Sequence, residues 1–359
     1  MMTVRTILNF YRRIQYTLCR RYRYGAMPAG ELCSHEPFEQ EINHGDIVHP
    51  CVRYIPDGYL GYKWWMVYTP YYKSDAKTEN PILCYGQGDD NNPPVYWNIF
   101  CKVQDQPKKG YNSDPVLLFS QNKLFVFWRE NCTEKCDANG FVRATFGASV
   151  EKNGISEVFG PLVGTKDMAI DPETSPAFIE ENDGTFRCLA THLTFYSDKI
   201  KCMPVSLRRI VTPITIILDL LGVWSQQKSH GIAQWCSPRL DGIYNYENTI
   251  RFENRNSLYR PWHIDFFEWE NVLYAVVQSN QSNADICLAK SYDRVHFRFY
   301  SKPLMTNKTC GKIGIYKPTA GVVDGRFFLY YTAQNIEDRS LNKLYLSTIS
   351  FKDLLNSLK

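Results

Sequence analysis

The stretch Tyr111–Glu130 reads YNSDPVLLFSQNKLFVFWRE. It opens on an Asp-Pro step, Asp114-Pro115, and continues as a short apolar strand. It turns at Gln121-Asn122-Lys123 and returns as a second apolar strand, Leu124 to Trp128, which ends in Arg129 and Glu130. The phrase recurs around it. Upstream, His49-Pro50 leads through CVRYIP to Asp57-Gly58 and then YKWWMVYTPYY. Downstream, Ser175-Pro176 leads through AFIEE to Asp183-Gly184 and TFRCLATHL. A less regular copy runs from His263 through IDFFEWEN to VLYAVVQSN. The last runs from Lys317-Pro318 through TAGVV and Asp324-Gly325 to RFFLYYTAQ.

Successive copies start about 60 residues apart, with about 85 before the fourth. Asp-Gly between apolar runs marks a hairpin, because those residues tolerate the positive φ of a tight turn. Two strands per phrase, with room for two more, make a radial β repeat. The expected fold is all-β: a five-bladed β-propeller over residues 46–359. A β-sandwich would need five copies to share one register by accident.

Residues 3–22 carry Val4, Ile7, Leu8, Tyr11, Ile14 and Leu18 at helical spacing, ringed by Arg5, Arg12, Arg13, Arg20 and Arg21. This predicts a short N-terminal helical extension, basic and amphipathic, suited to a membrane surface or a protein partner. With the loop expected over 24–45 it makes up a first region, 1–45. Leu207–Trp224 has no match in the other units and reads as an outer strand of the third blade followed by a short helix. Trp235 and Cys236 read as leading into the fourth blade. ISEVF (155–159) reads as an outer strand of the second, and Phe351–Lys359 as a terminal helix.

Twenty-four Tyr, 20 Phe and 8 Trp suit half-buried strands and sugar-stacking surfaces. A net charge of only +4 gives no reason to expect nucleic acid. The 12 Cys are scattered, and Cys84, Cys101, Cys188 and Cys287 fall inside predicted strands as free thiols. Cys132 and Cys136 have no second pair at zinc spacing, so neither a metal nor another cofactor is expected. Arginines interrupt every apolar run near the N-terminus, and no run reaches a membrane span. The expected location is the cytoplasm or a phage virion.

In a propeller, the residues opening each first strand converge on one funnel: His49, Asp114, Glu173 with Ser175, His263 and Lys317. Those ending each second strand lie beside them: Thr69, Arg129, Glu130, His192 and Gln278. Glu79 opens a third strand at the same face. The expected catalytic set is Asp114, Glu173, His49 and Glu79. The expected substrate-binding set is Arg129, Glu130, His192, His263, Gln278 and Lys317. Trp64 and Trp65 read as core, Tyr71 as core or a sugar platform.

The X-Pro strand openings with nearby acids resemble the five-bladed propeller glycosidases, the arabinanase and xylosidase family with its invertase-like relatives. Within that group, GYKWWMVYTPY, ENP and YNSDP are similar to members encoded by gut bacteria and their phages. The resemblance implies a blade-one general base, a blade-two orienting Asp and a blade-three Glu acid. Asp114 matches the orienting Asp. Glu173 is the nearest match to the acid, one residue farther from its Pro than the pattern asks. His49 occupies the base position, where the pattern has Asp. The function expected is glycoside hydrolysis on a bacterial surface or capsular polysaccharide. A non-catalytic glycan- or protein-binding propeller (a phage tail or adhesion component) is the alternative, and a glycoside phosphorylase using Arg129, His263 and Lys317 for phosphate is a lesser one.

Overall fold

The structure is a computed structural model. It describes residues 25–33, 46–90, 92–132, 141–165, 173–193, 230–250, 252–253, 261–279, 285–307, 312–335 and 341–359, with isolated positions between 204 and 214. The predicted helix over 3–22, Cys136 and nearly all of Leu207–Trp224 lie outside the described residues.

Strand β1 (Glu31–Leu32) comes first in the chain and last in the ring. Blade one follows as β2 (Ile47–Tyr59), β3 (Tyr62–Pro70), β4 (Ile82–Gly86) and β5 (Trp97–Lys102). Blade two is β6 (Gly110–Ser120), β7 (Lys123–Cys132), β8 (Arg143–Glu151), with β9 (Gly154–Ile155) at its side, and β10 (Phe159–Thr165). Blade three is β11 (Glu173–Glu180), β12 (Phe186–Leu193), β13 (His230–Ser237) and β14 (Asn245–Ile250). Blade four has β15 (Phe252–Glu253) outermost. Inside it lie β16 (Pro261–Trp269), β17 (Val272–Ser279), β18 (Asp285–Ser291) and β19 (Phe297–Phe299), with β20 (Met305–Thr306) beside β18. Blade five is β21 (Lys312–Val323), β22 (Arg326–Asn335) and β23 (Lys343–Ser350), and β1 completes it. The inner strands neighbour one another in a closed circuit: β2 with β6, then β11, β16, β21 and back to β2. Five sheets around one axis is the fold the repeats predict.

The blades pack face to face through the apolar side chains that strand alternation turns inward. Phe127 of blade two stacks on Phe178 of blade three with centroids 3.9 Å apart, and Trp64 of blade one meets Phe328 of blade five edge-on at 5.1 Å. Trp64 and Trp65 are fully buried, as expected of core. Gly58, Gly184 and Gly325 take φ of 76°, 82° and 75° at the three Asp-Gly turns, where a side chain would be strained. Cys84, Cys188 and Cys287 are buried, while Cys101 is half-buried.

Three local expectations change. Trp235 and Cys236 lie in β13, the third strand of blade three, paired to β12 from Phe186↔Ser237 to Leu193↔His230. The outer strand of blade two is β10, displaced toward the C-terminus from ISEVF. The loop expected over 24–45 contains β1, whose Glu31 and Leu32 face Leu346 and Tyr345 across the edge of β23. Ala26 and Met27 N–H groups also bond Pro303 and Leu304 carbonyls, so residues 25–33 strap blades four and five together. Helix α1 (Phe351–Ser357) follows β23 as predicted, with the Ser350 side chain capping Asp353 N–H.

Candidate active site

The centre is built by one backbone device repeated around the ring. Proline carries no N–H, so the hydrogen-bond ladder of each inner strand fails at its X-Pro step. The register shifts between Val48 and Cys51, Ser113 and Val116, Thr174 and Ala177, and Tyr316 and Thr319. The residue before each proline turns left-handed: His49 at φ 55°, Asp114 at 48°, Ser175 at 52°, Lys317 at 41°. Such bulges re-aim a side chain. Blade four has no proline after His263, and its register shifts instead between Pro261 and His263.

These side chains meet. Asp114 Oδ1 lies 3.3 Å from His49 Nε2 and 3.7 Å from His263 Nδ1, and accepts from Ser175 Oγ at 3.1 Å. Ser175 Oγ also touches His263 Nδ1. Asp114 Oδ2 pairs with Arg129 at 2.5 Å, and Arg129 donates to Ser113 Oγ as well. On its other side His49 Nδ1 lies 3.1 Å from Glu79 Oε2 and 3.0 Å from Thr69 Oγ1. Tyr316 OH stands 3.2 Å from His49 Nε2 and 3.5 Å from the Trp262 indole nitrogen. Asp114 and His263, 149 positions apart in the chain by their numbers, therefore share one pocket.

The electrostatics divide the two carboxyls. Burial pushes Asp114 up, but Arg129, His49, Lys317 and His263 outweigh it and hold the group well below the usual carboxylate range. Burial pushes Glu79 up, and His49 opposes it. Burial drives His263 well below the ordinary imidazole value against the pull of Asp114, so its ring is neutral. Burial lowers Lys317 too, again against Asp114. The residue is 2% exposed, and its amine nitrogen has no hydrogen-bond partner among the described residues.

The other expected site residues fall differently. Glu173 and His192 face each other across β11 and β12, at the same end of blade three as Ser175; their side chains lie outside the described residues. Glu130 turns away from Arg129, as adjacent strand residues do, and accepts from the Cys132 thiol at 3.1 Å. Gln278 braces the frame: it accepts from Lys317 N–H at 2.8 Å and donates to Ile315 O at 3.2 Å. Tyr71 is half-buried. Sequence spacing missed Tyr316 and Trp262, each directly preceding a site residue.

His49, Asp114 and His263 each offer one ligand atom within 4.8 Å of the others. Two imidazoles and a carboxylate are a donor set that suits a divalent cation. Two further features fit. Glu79 bonds the far nitrogen of His49, as outer carboxylates do to metal-binding histidines. His263 Nε2 is buried without a hydrogen-bond partner among the described residues. No spacing motif announces this set, because its members come from three blades.

No family model and no curated protein matches the chain. Solved structures do. An N-acetylgalactosamine deacetylase from F. plautii, in complex with blood group B trisaccharide, superposes with a TM-score of 0.63 at 15% identity, covering 93% of this chain and 96% of that one. A GH43_1 enzyme from Xanthomonas citri complexed with xylose gives 0.57 at 11%, covering 93% and 92%. An exo-1,5-alpha-L-arabinanase from a bovine ruminal metagenomic library gives 0.53 at 12%, covering 84% and 92%. At these identities the likeness is one of architecture: the chain has the five-bladed propeller fold of the arabinanase- and xylosidase-like glycoside hydrolases.

Proposed function

We propose that the chain is a glycan-active hydrolase assisted by a divalent cation, with bacterial surface or capsular polysaccharide as its substrate class. The bond that suits the site is the amide of an N-acylated sugar. The observation that carries this is the meeting of His49, Asp114 and His263 at one point beside Glu79. The paired-carboxylate scheme for glycosidic bonds needs two carboxyls facing a shared gap. Here the His49 ring stands between Glu79 and Asp114. Arg129 further commits Asp114 to staying ionised. One carboxyl, Glu79, is left for proton transfer. Its hydrogen bonds among the described residues fall on Oε2.

A bound cation would supply Lewis-acid polarisation and a water acidified toward neutral pH. The protein's part is positional and protonic. Glu79, which lies behind the His49 ring, takes the proton of the attacking water by way of one intervening water as the new C–O bond forms. It returns that proton to the sugar nitrogen as the C–N bond breaks, leaving a free amine and a carboxylate. Thr69 and Glu79 fix the His49 ring, and Arg129 and Ser175 fix Asp114. The deacetylase named above, which acts on an N-acetylated sugar, supports this choice of bond.

A second reading is glycosidic cleavage with Glu173 as acid, favoured by the strand register that puts Glu173 at the same end as Ser175. A panel of N-acetylated and unacetylated glycans separates the two. Acetate release that a chelator abolishes and Zn²⁺, Mn²⁺ or Co²⁺ restores is the expected result. New reducing ends without acetate would favour the second reading. Saturable binding with neither product would leave a binding module.

A further inference from the structure

We infer that Tyr316 is a further catalytic residue of this centre, the hydroxyl that holds the acyl oxygen as negative charge builds on it. The inference rests on the hydrolase reading above. Tyr316 lies in β21 immediately before the bulge at Lys317, so the same backbone device that aims Lys317 sets its ring. That ring is wedged between the two imidazoles, 5.3 Å from His49 and 4.4 Å from His263, centroid to centroid, the latter edge-on at 78°. The residue is half-buried.

The hydrogen bonds set its direction. In the tautomer that cation ligation at Nε2 requires, His49 carries its ring proton on Nδ1, where Glu79 accepts it, and a lone pair on Nε2. Tyr316 OH, 3.2 Å from Nε2, donates to that lone pair. The Trp262 N–H, 3.5 Å away, donates to the phenol oxygen and polarises the O–H further. Once Nε2 is committed to a cation, it no longer accepts. The hydroxyl then turns its proton toward whatever oxygen lies beside the His49–Asp114–His263 point. In amide hydrolysis that oxygen is the carbonyl, which gains charge as water adds.

The test uses the full chain and the Tyr316→Phe variant with two readouts. The first is kcat and KM for acetate release. The second is the affinity of phosphonamidate analogues of N-acetylglucosamine and N-acetylgalactosamine methyl glycosides, which carry the tetrahedral oxygens without turning over. Removing one donor to a developing oxyanion costs roughly 100-fold in kcat or more. The expected result is that loss, KM nearly unchanged, analogue affinity weakened to a similar degree, and Zn²⁺ affinity unchanged. Equal analogue binding and equal kcat in both proteins would overturn the role of Tyr316 and leave the hydrolase reading standing. A parallel loss of Zn²⁺ affinity would also overturn it, since Tyr316 would then only orient His49. If the wild type neither releases acetate nor binds the analogues, the hydrolase reading falls and this inference with it.

Discussion

Asp114→Asn keeps the shape of the side chain and removes its charge. Asp114 and Arg129 are both buried and 2.5 Å apart. Breaking such a pair from one side costs about 3–5 kcal/mol, because the remaining charge stays buried without its counterion. For 359 residues, an unfolding entropy of about 2.1 cal/mol/K per residue gives roughly 0.75 kcal/mol/K, so the variant should melt about 4–7 °C lower. The cation adds a second signature. A ligand that binds only the folded state at 100 times its Kd adds about 2.7 kcal/mol, or roughly 3–4 °C on the same conversion. Scanning calorimetry with and without saturating Zn²⁺ or Mn²⁺ reads both. The wild type should rise by about that amount, and Asp114→Asn should start lower and not rise. A variant that keeps the metal-dependent rise would refute the ligand assignment. A wild type that shows no rise with any divalent ion would refute the centre itself.

Glu79→Gln should cut turnover by roughly 10²–10⁴-fold, the usual worth of a general base, while the metal-dependent rise in Tm shrinks without vanishing, since His49 loses an outer partner and keeps its ligand atom; steady-state rates and calorimetry check this together. Truncation through residue 33 removes β1 and the buried side chains of Met27 and Cys33. It should cost at least about 2–3 kcal/mol more than truncation through residue 24, by denaturant titration. Asp265 receives two bonds from Arg53, at 2.9 and 2.6 Å, and one from Thr319 at 2.6 Å. Asp265→Ala should destabilise by about 3–5 kcal/mol, whereas Arg53→Met with Asp265→Leu should recover most of it. Phe127→Ala, which empties the stack against Phe178, should cost about 3–5 kcal/mol without moving the Zn²⁺ affinity.

The ring was legible because its signals are local. Asp57-Gly58, Asp183-Gly184 and Asp324-Gly325 each specify a turn whatever surrounds them, and the apolar runs beside them have a period of two. The funnel set was legible because a rotational repeat carries sequence register into space: His49, Asp114, Ser175, His263 and Thr69 all meet at the centre. Ring closure was not legible. β1 is two residues long, and its partner Tyr345–Leu346 lies at the other end of the chain, so no window of sequence contains both. The third strand of blade three was hidden by the long insert before it, which shifted Trp235 toward the wrong blade. Tyr316 was hidden by composition. Among the chain's 24 tyrosines, nothing local separates one that faces an imidazole from one that packs a core.

The strain at the X-Pro steps bears on why the centre exists. A non-glycine residue at left-handed φ costs roughly 1–2 kcal/mol, and four inner strands carry one at the same radial position. Glycine there would close the same bulge without that cost. Instead the positions hold His49, Asp114, Ser175 and Lys317, and three of the four converge on a single carboxylate oxygen or supply it. Blade four breaks the pattern in a useful way. His263 has no proline after it and no left-handed φ, yet it reaches the same oxygen. The shared feature is therefore the meeting point and not the turn. A fold seeking only stability would not put Lys317 at a bulge that glycine could fill and bury it with its amine unsatisfied among the described residues. The conformational cost falls where the side chains meet, as it does where strain serves a site.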